Sequence, residues 1–288
     1  MNVWTALKQI GEEFSPRAID ATRQLFAADA LRPTPDMAVL RDQSYGPDPR
    51  HLLDVFAAPG RQPRPVVVFV HGGGFAAGDK GAADAPFHNN VGAWAARSGF
   101  VGVNMTYRLA PGSPWPAGAQ DVAAALRWVH ARIAVHGGDP QRIVVIGQSA
   151  GAAHVSGFLA RHGIDAQEAP PIAGAVLLSG IYEPDAFHPN PIQDAYYGND
   201  RGADTRQSAV LALAGTDVPC LFTISQFDPP LFQRQLAAVF AARVALTGHC
   251  PRVLWQQGHN HFSTSMQIGG PHDTLGEPLA AFVRHHCG

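Results

Sequence analysis

The apolar run Ile143-Val144-Val145-Ile146 passes without a linker into Gly147-Gln148-Ser149-Ala150-Gly151, and then into a small-residue helical stretch from Ala150 to Arg161. A buried strand that must become a helix within two residues has few solutions. The chain turns sharply at the serine, whose backbone is strained and whose hydroxyl stands above the sheet edge. Glycines two before and two after that serine leave room where a Cβ would strike the neighbouring strand and helix. The pattern makes Ser149 a candidate nucleophile. It also commits the chain to an α/β architecture, because the elbow needs a strand behind it and a helix ahead.

A second glycine cluster lies upstream. Pro65-Val66-Val67-Val68-Phe69-Val70 reads as a short buried strand and runs into His71-Gly72-Gly73-Gly74-Phe75. Three glycines after a strand let backbone N–H groups turn inward, and the loop can aim two of them at a developing oxyanion, with the N–H of Ala150 as a third. A phosphate loop would end in Gly-Lys-Ser/Thr, and a dinucleotide loop would read G-x-G-x-x-G. Neither string is present, and Lys80 stands too far along to serve the first.

An acid and a base follow downstream. Val218 to Ser225 reads as a buried strand, and Gln226-Phe227-Asp228-Pro229-Pro230 follows it. An aspartate just past a strand end, held by prolines, is placed to fix an imidazole in one tautomer. Beyond the strand Arg252–Gln256 comes Gly258-His259-Asn260-His261-Phe262-Ser263. The residues alone leave the base open between His259 and His261. His-x-His is also a metal-pair pattern, but no third and fourth ligand stand at a matching spacing.

With these parts in the order serine, acid, histidine, the chain from about Tyr45 to Val283 resembles the α/β-hydrolases, and within them bacterial carboxylesterases related to hormone-sensitive lipase. The resemblance is carried by His71-Gly72-Gly73-Gly74-Phe75, Tyr107-Arg108-Leu109-Ala110-Pro111, Asp121 to Trp128, Gly137 to Ile143, the Ser149 elbow and His261-Phe262. It implies Ser149 as nucleophile, Asp228 as acid and His261 as base, because a phenylalanine follows the family's histidine closely. It places the oxyanion donors on Gly73, Gly74 and Ala150. Gln148, Ala152 and Gly112 depart from the hormone-sensitive-lipase pattern, and no acidic pair follows Asp228. These departures lean toward the feruloyl-esterase-like and kynurenine-formamidase-like branches.

The expected activity is serine carboxylesterase action on small to medium esters through an acyl-enzyme, with no metal and no organic cofactor. An arylformamidase or amidase on the same triad is the alternative within enzymes. A small-molecule binding protein on the same fold is the alternative outside them, disfavoured by the intact set Ser149, Asp228 and His261.

Only 15% of residues are charged and the formal net charge is −2, which supplies no basic field for nucleic acid or anionic membrane. Cys220, Cys250 and Cys287 are an odd set at wide spacing, so the expectation is free thiols in a reducing cytoplasm. No targeting signal and no bilayer-length apolar stretch is read. The partner expected is a small-molecule ester, with a homodimer possible through edge strands or the final helix.

The chain reads as one domain over residues 1–288, built on a mostly parallel eight-stranded sheet flanked by helices. Strand patterns recur near 39–45, 51–57, 65–70, 100–105, 142–147, 172–179, 219–225 and 251–256. Helical patterns fall near 86–98, 118–135, 150–162, 229–246 and 273–286. The first two strands have no helix between them, so the sheet is expected to start antiparallel. Residues 1–35 form an N-terminal helical segment, with Ser15-Pro16 marking a second helix start. The long connection 181–217, carrying Tyr182, Phe187, Tyr196 and Tyr197, is expected to cap the active site. His71 is expected to brace the glycine loop, His154 to pack, Asp139 to pair with Arg142, and Asp121 to cap the helix it begins.

Overall fold

The computed structural model describes residues 2–60, 63–185, 190–199 and 205–288. Among them eight strands form one sheet: β1 (Ala38–Ser44), β2 (Leu52–Ala57), β3 (Arg64–Val70), β4 (Val101–Met105), β5 (Gly138–Gln148), β6 (Gly174–Leu178), β7 (Cys220–Phe227) and β8 (Arg252–Asn260). Their order is β1-β2-β4-β3-β5-β6-β7-β8. β1 pairs antiparallel with β2, and β2 antiparallel with β4. All later pairings are parallel, so the ends of β3, β5, β6, β7 and β8 point the same way.

Crossover helices are α3 (Asn89–Arg97), α4 (Ala117–Arg132), α5 (Ala150–Leu159) and α8 (Pro230–Thr247), and α9 (Ser263–Met266) and α10 (Gly276–Cys287) follow the last strand. The two-residue period of the strands sorts side chains between the two helical layers. Val66, Val68 and Val70 of β3 face one core together with Ile143 and Val145 of β5. That core is closed by Val122 and Leu126 of α4, Val155 of α5 and Val239 of α8. Val67, Phe69, Val144 and Ile146 face the opposite side, against Val91 and Trp94 of α3 and Leu279, Phe282 and Val283 of α10. A strand buried on both faces must be apolar throughout, which is why β3 and β5 read as unbroken Val/Ile runs rather than as alternations.

Two helices precede the sheet. In α1 (Val3–Ile10), the Asn2 side chain accepts the Thr5 N–H, and Gly11 ends the helix at a φ of 58°. In α2 (Pro16–Phe26), the Ser15 hydroxyl accepts the Ala18 N–H at 3.2 Å, and Pro16 takes the first helical position. Val3, Leu7, Ala18 and Phe26 bury themselves against Phe262 and Met266, so both helices lie over the end of β8. The connection 181–217 contains α6 (Pro191–Tyr197) and α7 (Val210–Gly215). Tyr182 and Tyr196 are buried packing anchors, whereas Phe187 lies outside the described residues.

Asp121 lies inside α4 and does not cap it. Its carboxylate accepts from the Arg108 backbone N–H at 2.8 Å and the Arg108 guanidinium at 2.7 Å, and it meets His51 Nε2 at 3.1 Å. The chain enters α4 through Pro116, so the expected cap is replaced by an ion pair that ties the Tyr107–Pro111 segment to the helix. Asp139 and Arg142 do pair, at 2.8 Å.

A buried ion network fixes the segment that follows the glycine loop. Asp54 on β2 is fully buried and accepts from Lys80 Nζ at 3.1 Å, Arg41 Nη1 at 2.7 Å and the Asp42 N–H at 2.8 Å. Lys80, one of only two lysines in the chain, also reaches Asp42 at 2.7 Å. Removing the central carboxylate leaves Lys80 with only the exposed Asp42 as an acid and Arg41 with only the Asn89 side-chain oxygen. Asp54→Ala is therefore expected to cost about 3–5 kcal/mol in denaturant unfolding, the range for breaking a buried pair from one side. A cost below about 1 kcal/mol would show that Lys80 and Arg41 find water instead.

Candidate active site

β5 ends at Gln148, and Ser149 follows with φ 56° and ψ −117°, a conformation L residues rarely adopt. What holds it there is crowding. A Cβ on Gly151 would stand 2.1 Å from the Val70 carbonyl oxygen, and one on Gly147 would stand 2.6 Å from the Gly151 oxygen. The Ser149 N–H donates to Leu178 O at 2.9 Å, so the strained residue stays tied to β6. Strain of this kind persists only where the surroundings over-determine it.

His261 stands one residue past β8, and its Nε2 lies 2.9 Å from Ser149 Oγ. Its Nδ1 lies 2.7 Å from Asp228 Oδ1. Asp228 follows β7 and is fully buried, so its carboxylate needs internal donors. The other oxygen has two: the Ser179 hydroxyl at 2.6 Å and the Ser225 N–H at 2.6 Å. The structure thus brings together Ser149, His261 and Asp228, three residues separated by up to 112 positions in the chain.

Asn260 sets the turn that presents the histidine. Its side-chain oxygen accepts the N–H groups of Phe262 at 3.2 Å and Ser263 at 2.9 Å, while its amide donates to Thr22 of α2 at 2.9 Å. Gln148 donates to the His261 carbonyl at 3.4 Å, linking the Ser149 elbow to the same turn. Phe232 stacks on the imidazole with centroids 4.0 Å apart, and Phe14 and Phe262 meet it edge-on at 5.1 and 5.5 Å. Ser179, Asn260, Phe14 and Phe232 carry no motif that marks them. Asn260 alone left a readable trace, since an asparagine two or three residues ahead of N–H groups in a turn is a side-chain capping pattern.

His259 lies elsewhere. It is buried, with Nδ1 3.0 Å from the Ser263 hydroxyl and Nε2 3.3 Å from the Thr274 hydroxyl, and Trp4 packs edge-on against it. Burial, assisted by the nearby His272, pushes its pKa down to about 4. His154 is pushed down to about 3 by burial alone against Tyr107 and Tyr196, and burial likewise holds His71 well below the ordinary histidine range.

In the glycine loop, Gly73 and Gly74 have φ of 135° and 59°, and the Gly73 carbonyl accepts the Ala77 N–H at 3.0 Å. A Cβ on Gly73 would stand 2.1 Å from Ala77 O. His71 Nδ1 meets the Gly72 carbonyl at 2.6 Å, and the Tyr107 hydroxyl donates to the His71 carbonyl at 2.9 Å. These bonds turn the loop's carbonyls into the body. Tyr196 of α6 stacks on Phe75 at 4.4 Å, so α6 is seated directly on the glycine loop. Among the described residues, no group of three His, Cys, Asp or Glu side chains is arranged to hold a metal ion. Among the same residues no helix is long and apolar enough to cross a membrane.

Comparison with known proteins agrees with the fold. The BD-FAE family model matches residues 53–170. Two solved structures superpose over nearly the whole chain. Esterase B from Lactobacillus Rhamnosis does so with a TM-score of 0.75 at 19% identity, covering 93% of this chain and 91% of that one. An esterase from the bacterial hormone-sensitive lipase family does so with a TM-score of 0.72 at 21% identity, covering 99% and 97%. The chain has the α/β-hydrolase fold. Among curated sequences, the carboxylesterase NlhH of Mycobacterium tuberculosis is 46% identical over 98 residues, which are 34% of this chain and 29% of the relative. The chain therefore spans less than a third of that relative's length.

The burial of His259 has a measurable consequence. In the unfolded chain its imidazole takes a proton at about pH 6.5, whereas in the fold it stays neutral down to about 4. Between those values the unfolded state binds more protons, so the contribution is fully present above the unfolded pKa and is lost as pH falls toward the folded one. At pH 5 the loss from this site is about 2 kcal/mol. His259→Gln is expected to reduce by that amount the drop in unfolding free energy between pH 7 and pH 5. An identical drop in variant and parent would contradict the burial argument.

Proposed function

We propose that the protein is a serine carboxylesterase acting on small to medium carboxylic esters. The observation that carries this is the unbroken path from Ser149 Oγ to His261 Nε2 at 2.9 Å and from His261 Nδ1 to Asp228 Oδ1 at 2.7 Å. In this mechanism Ser149 Oγ attacks the ester carbonyl as its proton passes to His261 Nε2. Asp228 keeps Nδ1 protonated and steadies the imidazolium. The carbonyl oxygen, now anionic, is held by the N–H groups of Gly73, Gly74 and Ala150. Collapse breaks the bond to the alcohol oxygen, which takes the proton from His261 and leaves. Water then gives a proton to His261 and attacks the acyl-serine, releasing the acid and restoring the Ser149 hydroxyl.

Among the described residues, the N–H groups of Gly73, Gly74 and Ala150 make no hydrogen bond within the protein, which suits groups reserved for a transition state. Ala150 is also the first residue of α5, where the helix N-terminus favours negative charge. The three thiols Cys220, Cys250 and Cys287 are unpaired, and burial raises the Cys220 thiol to about 12. A reducing compartment, the cytoplasm, is the location we propose on that ground.

Ser149→Ala and His261→Ala are each expected to lower kcat on a short-chain p-nitrophenyl ester by ~10⁶, since residues of one relay fail together. A phosphonate probe should label the parent stoichiometrically at Ser149 and the serine variant not at all. More than a few per cent of parental kcat in either variant would overturn the assignment. For the glycine loop, Gly73→Ala is expected to lower kcat by ~10²–10³ with a smaller change in KM, because oxyanion donors act chiefly in the transition state. A rise in KM at constant kcat would assign this loop to substrate binding instead.

A further inference from the structure

Three phenyl rings surround the His261 imidazole, and they are not equivalent. Phe232 and Phe262 are buried at 2% and 9% exposure, as rings that build a site are. Phe14 is 43% exposed although it stacks on Phe262 at 5.3 Å, tilts against Phe232 at 5.7 Å and meets the imidazole at 5.1 Å. It sits on the turn between α1 and α2. That turn is well held: Ser15 Oγ donates to Glu13 at 2.6 Å, Arg17 Nε donates to Glu13 at 3.1 Å, and both flanking helices are capped. An apolar ring fixed beside the imidazole, with nearly half its surface uncovered, is a binding surface awaiting an apolar group.

The chemistry says which part of the substrate covers it. The alcohol oxygen takes its proton from His261 Nε2, so the alcohol portion must lie over the imidazole when the ester bond breaks. The oxyanion donors proposed above lie on the elbow and the glycine loop, on the nucleophile's side of that imidazole. Resting on the esterase reading, we propose that Phe14 is a specificity-determining residue for the leaving group, and that the site favours esters whose alcohol portion carries a flat aromatic ring. Phe14 then gives that ring a partner in offset or edge-on contact. The N-terminal helix pair thereby contributes to catalysis by recognising the alcohol rather than by only covering the body.

The test compares benzyl acetate with ethyl acetate in the parent and in Phe14→Ala. Both esters pass through the same acetyl-enzyme, and kcat/KM reports the steps through acylation, when the alcohol is still present. Taking the variant-to-parent ratio for each ester cancels their intrinsic reactivities. The benzyl ratio is expected to fall about tenfold further than the ethyl ratio, the scale of one lost ring contact. Ethyl octanoate against ethyl acetate reports the acyl side, and that comparison is expected to shift by less than about twofold. Phe14→Leu keeps apolar volume without the ring; it should move the benzyl ratio in the same direction by a smaller factor, and it serves if the alanine variant is unstable. Equal losses for benzyl and ethyl esters would make Phe14 a support for His261 and overturn the proposal. So would no loss for either, or a shift on the acyl side as large as that on the alcohol side. The esterase reading itself fails only if the parent turns over none of these esters and the phosphonate leaves Ser149 unlabelled.

Discussion

The hydrogen bond between His261 Nδ1 and Asp228 Oδ1 is the contact on which the site depends. It joins the ends of β7 and β8, while Ser179 just past β6 holds the other carboxylate oxygen. A carboxylate with no exposure is tolerated only when its lone pairs are taken up by donors, and here the backbone of Ser225, a hydroxyl and an imidazole supply them. Those donors fix the aspartate, the aspartate fixes the imidazole's tautomer, and the imidazole faces one hydroxyl. Remove the carboxylate and the histidine is free to present either nitrogen.

The parallel sheet is what makes this convergence cheap in conformational terms. Strand ends that point one way deliver Ser149 from β5, Ser179 from β6, Asp228 from β7 and His261 from β8 to one edge, with the glycine loop arriving from β3. The rest of the molecule keeps those loops from drifting. The Asp54–Lys80 network anchors the chain beyond the glycine loop, and Tyr196 packs the 181–217 connection onto Phe75. Asn90 of α3 donates to the carbonyls of Ser265 and Ile268, behind the histidine turn. The crowded glycines of the elbow then hold Ser149 at a φ that no isolated peptide would keep.

Much of this was legible because it is written in local patterns. β3 and β5 announce themselves as unbroken apolar runs, and the Ser149 elbow and the glycine loop each combine a strand end with glycines. The eight strands and the Ser15-Pro16 helix start lie where periodicity puts them. Residues that act across the fold left no such trace. Ser179 is one serine among many until β6 and β7 pair; Phe14 is one apolar residue of an amphipathic stretch until α1 lies over β8. Asp121 looked like a helix cap because an aspartate ahead of an apolar stretch usually is one, and the tertiary pairing with Arg108 and His51 overrode that preference. Between His259 and His261, sequence offers two equal imidazoles. Both are buried, and their partners separate them: His261 meets Ser149 and Asp228, whereas His259 lies under Trp4 and against Thr274.

The central claim, that Ser149 carries the acyl group between substrate and water, is tested most directly by trapping that intermediate. The protein is mixed with excess p-nitrophenyl acetate, quenched in acid within the first turnovers and digested for peptide mass spectrometry. The account predicts one acetyl group per chain, on the peptide containing Gly147-Gln148-Ser149-Ala150-Gly151 and localised to Ser149. Steady turnover of the ester with an acetyl group found on another side chain, or with incorporation of solvent oxygen and no acetyl-enzyme even under rapid quench, would contradict it.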